Sequence, residues 1–201
     1  YYEKLHNKVV KDYKVVVIDG FIESVGEIHH LLVKANKSMI PYVIFCYGLS
    51  EEVKFNILKN NREGRIKVYP VCLDSNDENS LNLLNDFCLI QNTGVISSNL
   101  GQTISQAVRE ELASCKKITF LKNKILIEPC VDKITIESHR NFLKTRINEA
   151  KSDVNIKPIE NRLKMFSAEK INLYLPKRVS NNKKSQRELD YFLRFLSHLR
   201  K

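Results

Sequence analysis

The stretch "YKVVVIDGFIESVGEIHHLLVKANKSMIPYVIFCYG", Tyr13 to Gly48, reads as strand, helix, strand. "YKVVVIDG" (13–20) and "YVIFCYG" (42–48) are apolar almost throughout and rich in β-branched residues. Such runs mark strands buried on both faces rather than strands with one wet side. Between them Val25, Ile28, Leu32 and Ala35 recur at spacings of three and four, the stripe of a helix packed on a sheet. That helix is expected from Ser24 to Lys37, with Pro41 opening the next strand.

The pattern repeats outward. Ser50 is placed to cap a second helix, with Glu51 and Glu52 in its first turn, where the helix dipole favours acids. The helix carries Val53, Ile57 and Leu58 and ends near "NNREG", where Gly64 suits a C-terminal cap. "RIKVYPVCL" (65–73) and "FCLIQNTGVIS" (87–97) are the next expected strands, with a third helix over Glu78–Asp86 between them. Strands alternating with helices predict an α/β chain with a mostly parallel sheet. Further on, "SQAVREELAS" predicts a short helix. "KKITFLKNKILIEP" predicts a hairpin turning at Lys122-Asn123-Lys124. A long helix is expected from Ile136 to about Lys151. Another follows Ser152-Asp153, with Pro158 in its first turn, where a missing N–H costs little. "KINLYLP" predicts a short strand, and "SQRELDYFLRFLSHLRK" an amphipathic C-terminal helix.

With 201 residues and 43% hydrophobic content, the chain can bury a sizeable core. No apolar run approaches the roughly 20 residues that span a bilayer. The chain opens at Tyr1 without a Met, which is expected to mark a processing or cloning boundary, and the uncapped C-terminal helix is expected to continue into a longer chain. Cys46, Cys72, Cys88, Cys115 and Cys130 form no C-x-x-C pair, and read as reduced thiols. The net charge of +10 raises nucleic acid as a partner. The basic residues are spread along the chain, however, denser only from Lys177 to Lys201, and no helix-turn-helix, zinc-finger or RNP-type signature accompanies them. A basic nucleic-acid-binding α/β module is therefore the second reading.

Catalytic signals are missing. The six glycines are scattered and form no phosphate loop. His29 and His30, adjacent on a helix, point to different sides and do not suit one metal. Asp19-Gly20 ends a strand, where an α/β enzyme can place a carboxylate, but Asp-Gly is first a turn dipeptide. Nothing assembles a nucleophile, a base and an oxyanion site.

The ordered set "YY" (1–2), "IESVGEIHHLL", "IPYVIFCYGLSEEVKFNILKNNREG", "IKVYPV", "NTGVISSNLG", "CKKITFLKN" and "EAKSDVNIKPIENRLKMFS" resembles the apical, substrate-binding domain of group I, GroEL-type chaperonins. The resemblance covers nearly the whole chain. It implies an apical domain over residues 1–170 and a strand and helix of the intermediate domain over 171–201. It departs from the family at "CLDSNDENS" (72–80), which replaces a glycine-containing segment, and at Ala168-Glu169, which replaces a double glycine. In the family an apolar groove between two helices, beside an aromatic pair, captures non-native polypeptides and the co-chaperonin. Carried over, the groove positions are Tyr1, Tyr2, His29, Leu32, Lys54, Leu58 and Lys59. His29, Lys54 and Lys59 stand where the family has aliphatic residues, so the lysines must snorkel or find an acid. The resemblance implies no enzyme activity and no cofactor in this segment. ATP and Mg belong to the full-length parent, a ring homo-oligomer, while the segment itself is expected to be a monomer. The family's catalytic aspartate has Asp190 or Arg194 as its counterpart here, and neither is assigned. The implied setting is soluble and reducing: a bacterial cytoplasm, a mitochondrial matrix or a plastid stroma.

Overall fold

The structure, a computed structural model of the chain, describes residues 7–73, 77–121, 124–150, 153–166 and 171–174. The Tyr13–Gly48 unit is built as read. Strand β1 (Lys8–Asp19) leads through the two-residue β2 (Phe21–Ile22) into helix α1 (Val25–Ser38) and strand β3 (Tyr42–Cys46). A second unit follows: β4 (Gly48–Leu49), α2 (Glu51–Arg62) and β5 (Val68–Cys72). Then come α3 (Glu78–Gln91), β6 (Val95–Ser97), one 3-10 turn, α4 (Ile104–Arg109), β7 (Ser114–Phe120) and β8 (Lys124–Ile127). Helices α5 (Lys133–Glu149) and α6 (Asp153–Met165) precede β9 (Ile171–Tyr174).

The sheet runs β5-β3-β1-β7-β8-β9, with β6 also on β1. It is mixed rather than mostly parallel. β3 and β6 pair with β1 in parallel, as β5 does with β3, whereas β7, β8 and β9 add antiparallel. The cause lies in the length of β1. Its C-terminal half pairs β3 and β6, while Lys8–Tyr13 extends beyond them and takes β7 as an antiparallel partner. The polar sequence "KVVKD" hides this extension from a hydrophobic reading.

Successive strand residues face opposite sides, and they feed two cores. Val15, Val17, Val43, Phe45 and Val71 join Leu84, Phe87 and Ile90 of α3, Leu143 of α5 and Met165 of α6. Val16, Ile18, Ile44 and Val68 join Ile28, Leu31 and Ala35 of α1, Val53 and Ile57 of α2, and Val108 of α4. The core stripe of α1 thus runs through Leu31, and Leu32 is half-buried at its margin.

Two expectations are corrected. "FCLIQNTGVIS" is not a strand throughout: α3 continues to Gln91, and only Val95–Ser97 is extended. A short apolar run does not separate strand from buried helix by periodicity alone. Here Leu84, Phe87 and Ile90 supply the helical stripe, and Asn92, left-handed at φ 50°, ends it. Pro158 lies beyond the first turn of α6, since that helix already starts at Asp153. The cap of α2 is built as read. Gly64 takes φ 70°, and Gly64 N–H and Arg65 N–H bond the carbonyls of Asn61 and Asn60, a Schellman closure. The hairpin β7–β8 forms, with Lys124 opening β8. Lys122, Asn123 and the expected C-terminal helix lie outside the described residues.

One buried ion cluster ties the far layer together. Asp86 on α3 is 4% exposed. Its two carboxylate oxygens accept from Arg162 Nε and Nη2 on α6, both at 2.7 Å, and His139 Nε2 on α5 lies 2.8 Å from Oδ1. The bidentate fork suits a desolvated carboxylate, and His139 packs on Phe166 with ring centroids 4.8 Å apart. Removing one partner of such a pair strands the other charge. Asp86→Ala is therefore expected to lower stability by about 3–5 kcal/mol, read as a fall in the urea midpoint. A loss under about 1 kcal/mol would place the cluster among weak surface pairs.

Candidate functional site

Helices α1 and α2 lie side by side on one face of the sheet, because each crosses between parallel neighbours: β1 to β3, and β3 to β5. Their starts are clamped together. Phe21–Ile22 pairs with Gly48–Leu49, and Tyr47 N–H and Ser50 N–H donate to the carbonyls of Gly20 and Ile22 at 3.0 and 2.9 Å. The first turn of α2 is capped as the sequence indicates, and that of α1 is capped as well. Ser50 Oγ accepts from Val53 N–H at 3.2 Å, and Glu27 Oε1 accepts from Ser24 N–H at 2.8 Å. The pair is held by local bonds at one end and by apolar contact beneath, which leaves its outer surface to solvent.

Which side chains meet on that surface follows from 100° per residue. In α1, Ile28, Leu31 and Ala35 face the sheet. Lys34 lies on one flank, where its Nζ donates to the Val108 carbonyl at the end of α4. Leu32 and His29 lie on the opposite flank, which turns to α2. In α2, Val53 and Ile57 face the sheet. Asn61 shares a flank with Lys54 and Leu58. It bonds the Val68 backbone of β5 twice, Nδ2 to O at 2.6 Å and N–H to Oδ1 at 3.0 Å, so this flank turns toward the sheet edge. The flank facing α1 carries Glu52, Asn56, Asn60 and Lys59. Phe55 stands on the crest, 48% exposed.

The seven positions therefore separate. His29, Leu32 and Lys59 come to the seam between the helices, His29 and Lys59 exposed and Leu32 half-buried. Lys54 and Leu58 lie on the outer flank of α2, both half-buried. Lys54 has found an acid, its Nζ 2.7 Å from Glu51 Oε1. Tyr1 and Tyr2 lie outside the described residues, as do Asp190 and Arg194. Periodicity did not single out Phe55, whose exposure on an otherwise polar crest emerges only once the core face of α2 is fixed by Val53 and Ile57.

Two other polar places were weighed. At the C-terminal ends of the parallel strands, where ligands of α/β sheets gather, Asp19 Oδ1 accepts from Tyr47 O–H at 2.6 Å and Oδ2 from Ser97 Oγ at 3.1 Å. Burial, then the bond to Asp19, pushes the Tyr47 phenol above its ordinary range, so it stays a donor. Both oxygens of the carboxylate are thus engaged in joining β1, β3 and β6. At the other end of the sheet a pocket of about 320 Å³ is lined by Lys14, Lys34 and Arg109 with Glu110 and Glu111. Its two lysines already donate to carbonyls of the α4 end and the segment after it, Lys14 Nζ to Leu112 O at 2.8 Å. Among the described residues no group of three His, Cys, Asp or Glu could hold a metal, and no helix is long and apolar enough to cross a membrane.

No family model matches the chain. Among solved structures, it is similar to the chaperonin gp146 from the bacteriophage EL 2 (Pseudomonas aeruginosa), crystallised in the presence of ATP-BeFx. The TM-score is 0.60 at 14% sequence identity, over 80% of this chain and 33% of that one. The chain thus spans about a third of the phage chaperonin, and its mixed sheet with helices on both faces is a chaperonin-like fold.

Proposed function

We propose that this chain is the polypeptide-binding segment of a divergent chaperonin, and that it takes non-native chains on the surface of α1 and α2. The observation that carries the reading is this exposed helix pair, clamped at its start, on a chaperonin-like fold. Apolar burial is non-directional and contributes about 25 cal/mol per Å², so a shallow surface with Leu32, Leu58 and Phe55 among polar residues accepts many sequences weakly. The chaperonin resemblance adds Tyr1 and Tyr2 to the binding positions, and His29, Lys54 and Lys59 make the surface more polar than a fully aliphatic groove. Non-native polypeptides and a co-chaperonin are the partners of this reading. ATP with Mg, ring assembly and folding work belong to the longer parent, and the segment alone is a non-enzymatic monomer that binds no nucleotide.

The test is anisotropy of a labelled apolar peptide titrated with the 201-residue chain. Leu32→Ser and Phe55→Ser are expected to weaken binding about tenfold each, the equivalent of about 1.4 kcal/mol. Leu58→Ser is expected to weaken it less, because part of that side chain is already covered. Lys59→Val, at the seam, is expected to strengthen it. Unchanged peptide affinity in Leu32→Ser and Phe55→Ser, with melting temperatures also unchanged, would sink the helix pair as the binding surface.

A second measurement separates this reading from nucleic-acid binding. Peptide binding through apolar contact is expected to change little between 50 and 200 mM salt, two concentrations that cost a protein making several phosphate contacts about 10³–10⁵ in affinity. Tight, steeply salt-dependent binding of a nucleic acid, with no peptide binding, would favour the basic module. Saturable ATP binding by calorimetry would contradict the segment assignment.

A further inference from the structure

Two of the five cysteines meet where β7, the end of β8 and the C-terminus of α3 come together. The β7–β8 ladder pairs Ile118 with Ile127, Thr119 with Leu126 and Phe120 with Ile125. Glu128 N–H carries the pairing on to the Lys117 carbonyl at 3.0 Å. Two residues past that rung Cys130 comes back beside Cys115: its Sγ lies 3.8 Å from the Ser114 carbonyl, and the two thiols are neighbours. A disulfide accepts Cα atoms about 4.4–6.8 Å apart, a window that suits neighbours at the end of an antiparallel ladder. The pocket around the sulfurs is fixed. Cys130 N–H donates to the Ile90 carbonyl at 2.8 Å, and Cys130 Sγ lies 3.7 Å from Gln91 Oε1, which also accepts from Tyr13 O–H at 2.9 Å.

We propose that Cys115 and Cys130 form a thiol–disulfide site, with Cys130 the attacking sulfur and a peroxide the oxidant. Access and chemistry divide the pair. Cys115 is 2% exposed, whereas Cys130 is half-buried at the surface end. Cys130 is drawn below its ordinary range, first by the neighbouring Cys115 thiol, then by the Lys116 backbone N–H and ammonium, against burial and Glu128. Cys115 moves the opposite way and keeps its proton. The thiolate is the nucleophile of the two. The Cys130 sulfur attacks one oxygen of hydrogen peroxide: an S–O bond forms, the O–O bond breaks, and hydroxide leaves as water with a solvent proton. The Cys115 sulfur then attacks the sulfenyl sulfur. The S–S bond forms, the S–O bond breaks, and the hydroxide leaves as water with the Cys115 proton. The two sulfurs together lose two electrons and the peroxide gains them. The link would join the segment after β8 to the base of β7.

Cys46 and Cys72, opposed on β3 and β5 with sulfurs 4.0 Å apart, supply an internal control. The fully reduced 201-residue chain is treated with hydrogen peroxide, its remaining thiols are alkylated, and the digest is mapped by mass spectrometry. The expected result is a Cys115–Cys130 cross-linked peptide, two hydrogens lighter, formed before any other and reversed by dithiothreitol. Cys130→Ser is expected to abolish it, and Cys115→Ser to leave Cys130 as a sulfenic acid that dimedone traps. Mapping of the unmodified protein decides even where a variant fails to fold. Oxidation of Cys130 straight to the sulfinic acid, a link confined to Cys46–Cys72, or no reaction at either sulfur would each overturn the proposal.

Discussion

The fold hangs on four residues of β1 that have no wet face. From Val15 to Ile18, β1 exposes between 0% and 6% of each residue, with Val15 and Val17 in one core and Val16 and Ile18 in the other. Burying a Val or Ile side chain contributes about 1.5–3 kcal/mol. A slip of one residue would exchange the two sets and break both cores at once. This strand therefore fixes the register of its neighbours: β3 and β6 along its C-terminal half, β7 along its N-terminal half. The helix layers inherit their positions from it.

Where the sequence was legible, it was because one local signal agreed with one burial demand. Ser50 with Glu51 and Glu52, and Gly64 after Arg62, bounded α2 to within a residue, because capping is satisfied by nearest neighbours along the chain. β1 beyond its apolar half was not legible. Lys8 to Lys11 pair with β7, a partner about a hundred residues away, and nothing local in "KVVKD" announces it. α3 was misread past Asp86 for the opposite reason: its core face is so apolar that it mimics a buried strand. The acid that seemed to end the helix is inside it, because Arg162 and His139 from α6 and α5 meet it there.

The candidate surface was legible to the level of helices and not of side chains. Two capped helices following parallel strands had to lie adjacent. A one-residue uncertainty in the core stripe turns a helix by 100°, however, and this separates Leu31, in the core, from Leu32 at the seam. The same step places Lys54 and Leu58 on the flank shared with Asn61. Only the Asn61 bonds to Val68 distinguish that flank from the one facing α1.

The two helix layers are held by different means, and the difference bears on how such a fold diverges. The α3–α5–α6 layer depends on a desolvated charge cluster, in which a change to one member strands the others. The α1–α2 pair depends on capped ends, the β2–β4 clamp and aliphatic contact with the sheet. None of these involves the outward side chains of His29, Phe55 or Lys59. Substitutions at such positions usually move stability by no more than about 0.5 kcal/mol. The outer surface of the pair is accordingly the part of the molecule that can change its chemistry while the backbone beneath it stays. A chain can then keep a chaperonin-like fold at low identity, because β1 and its two cores demand a pattern of burial rather than particular residues.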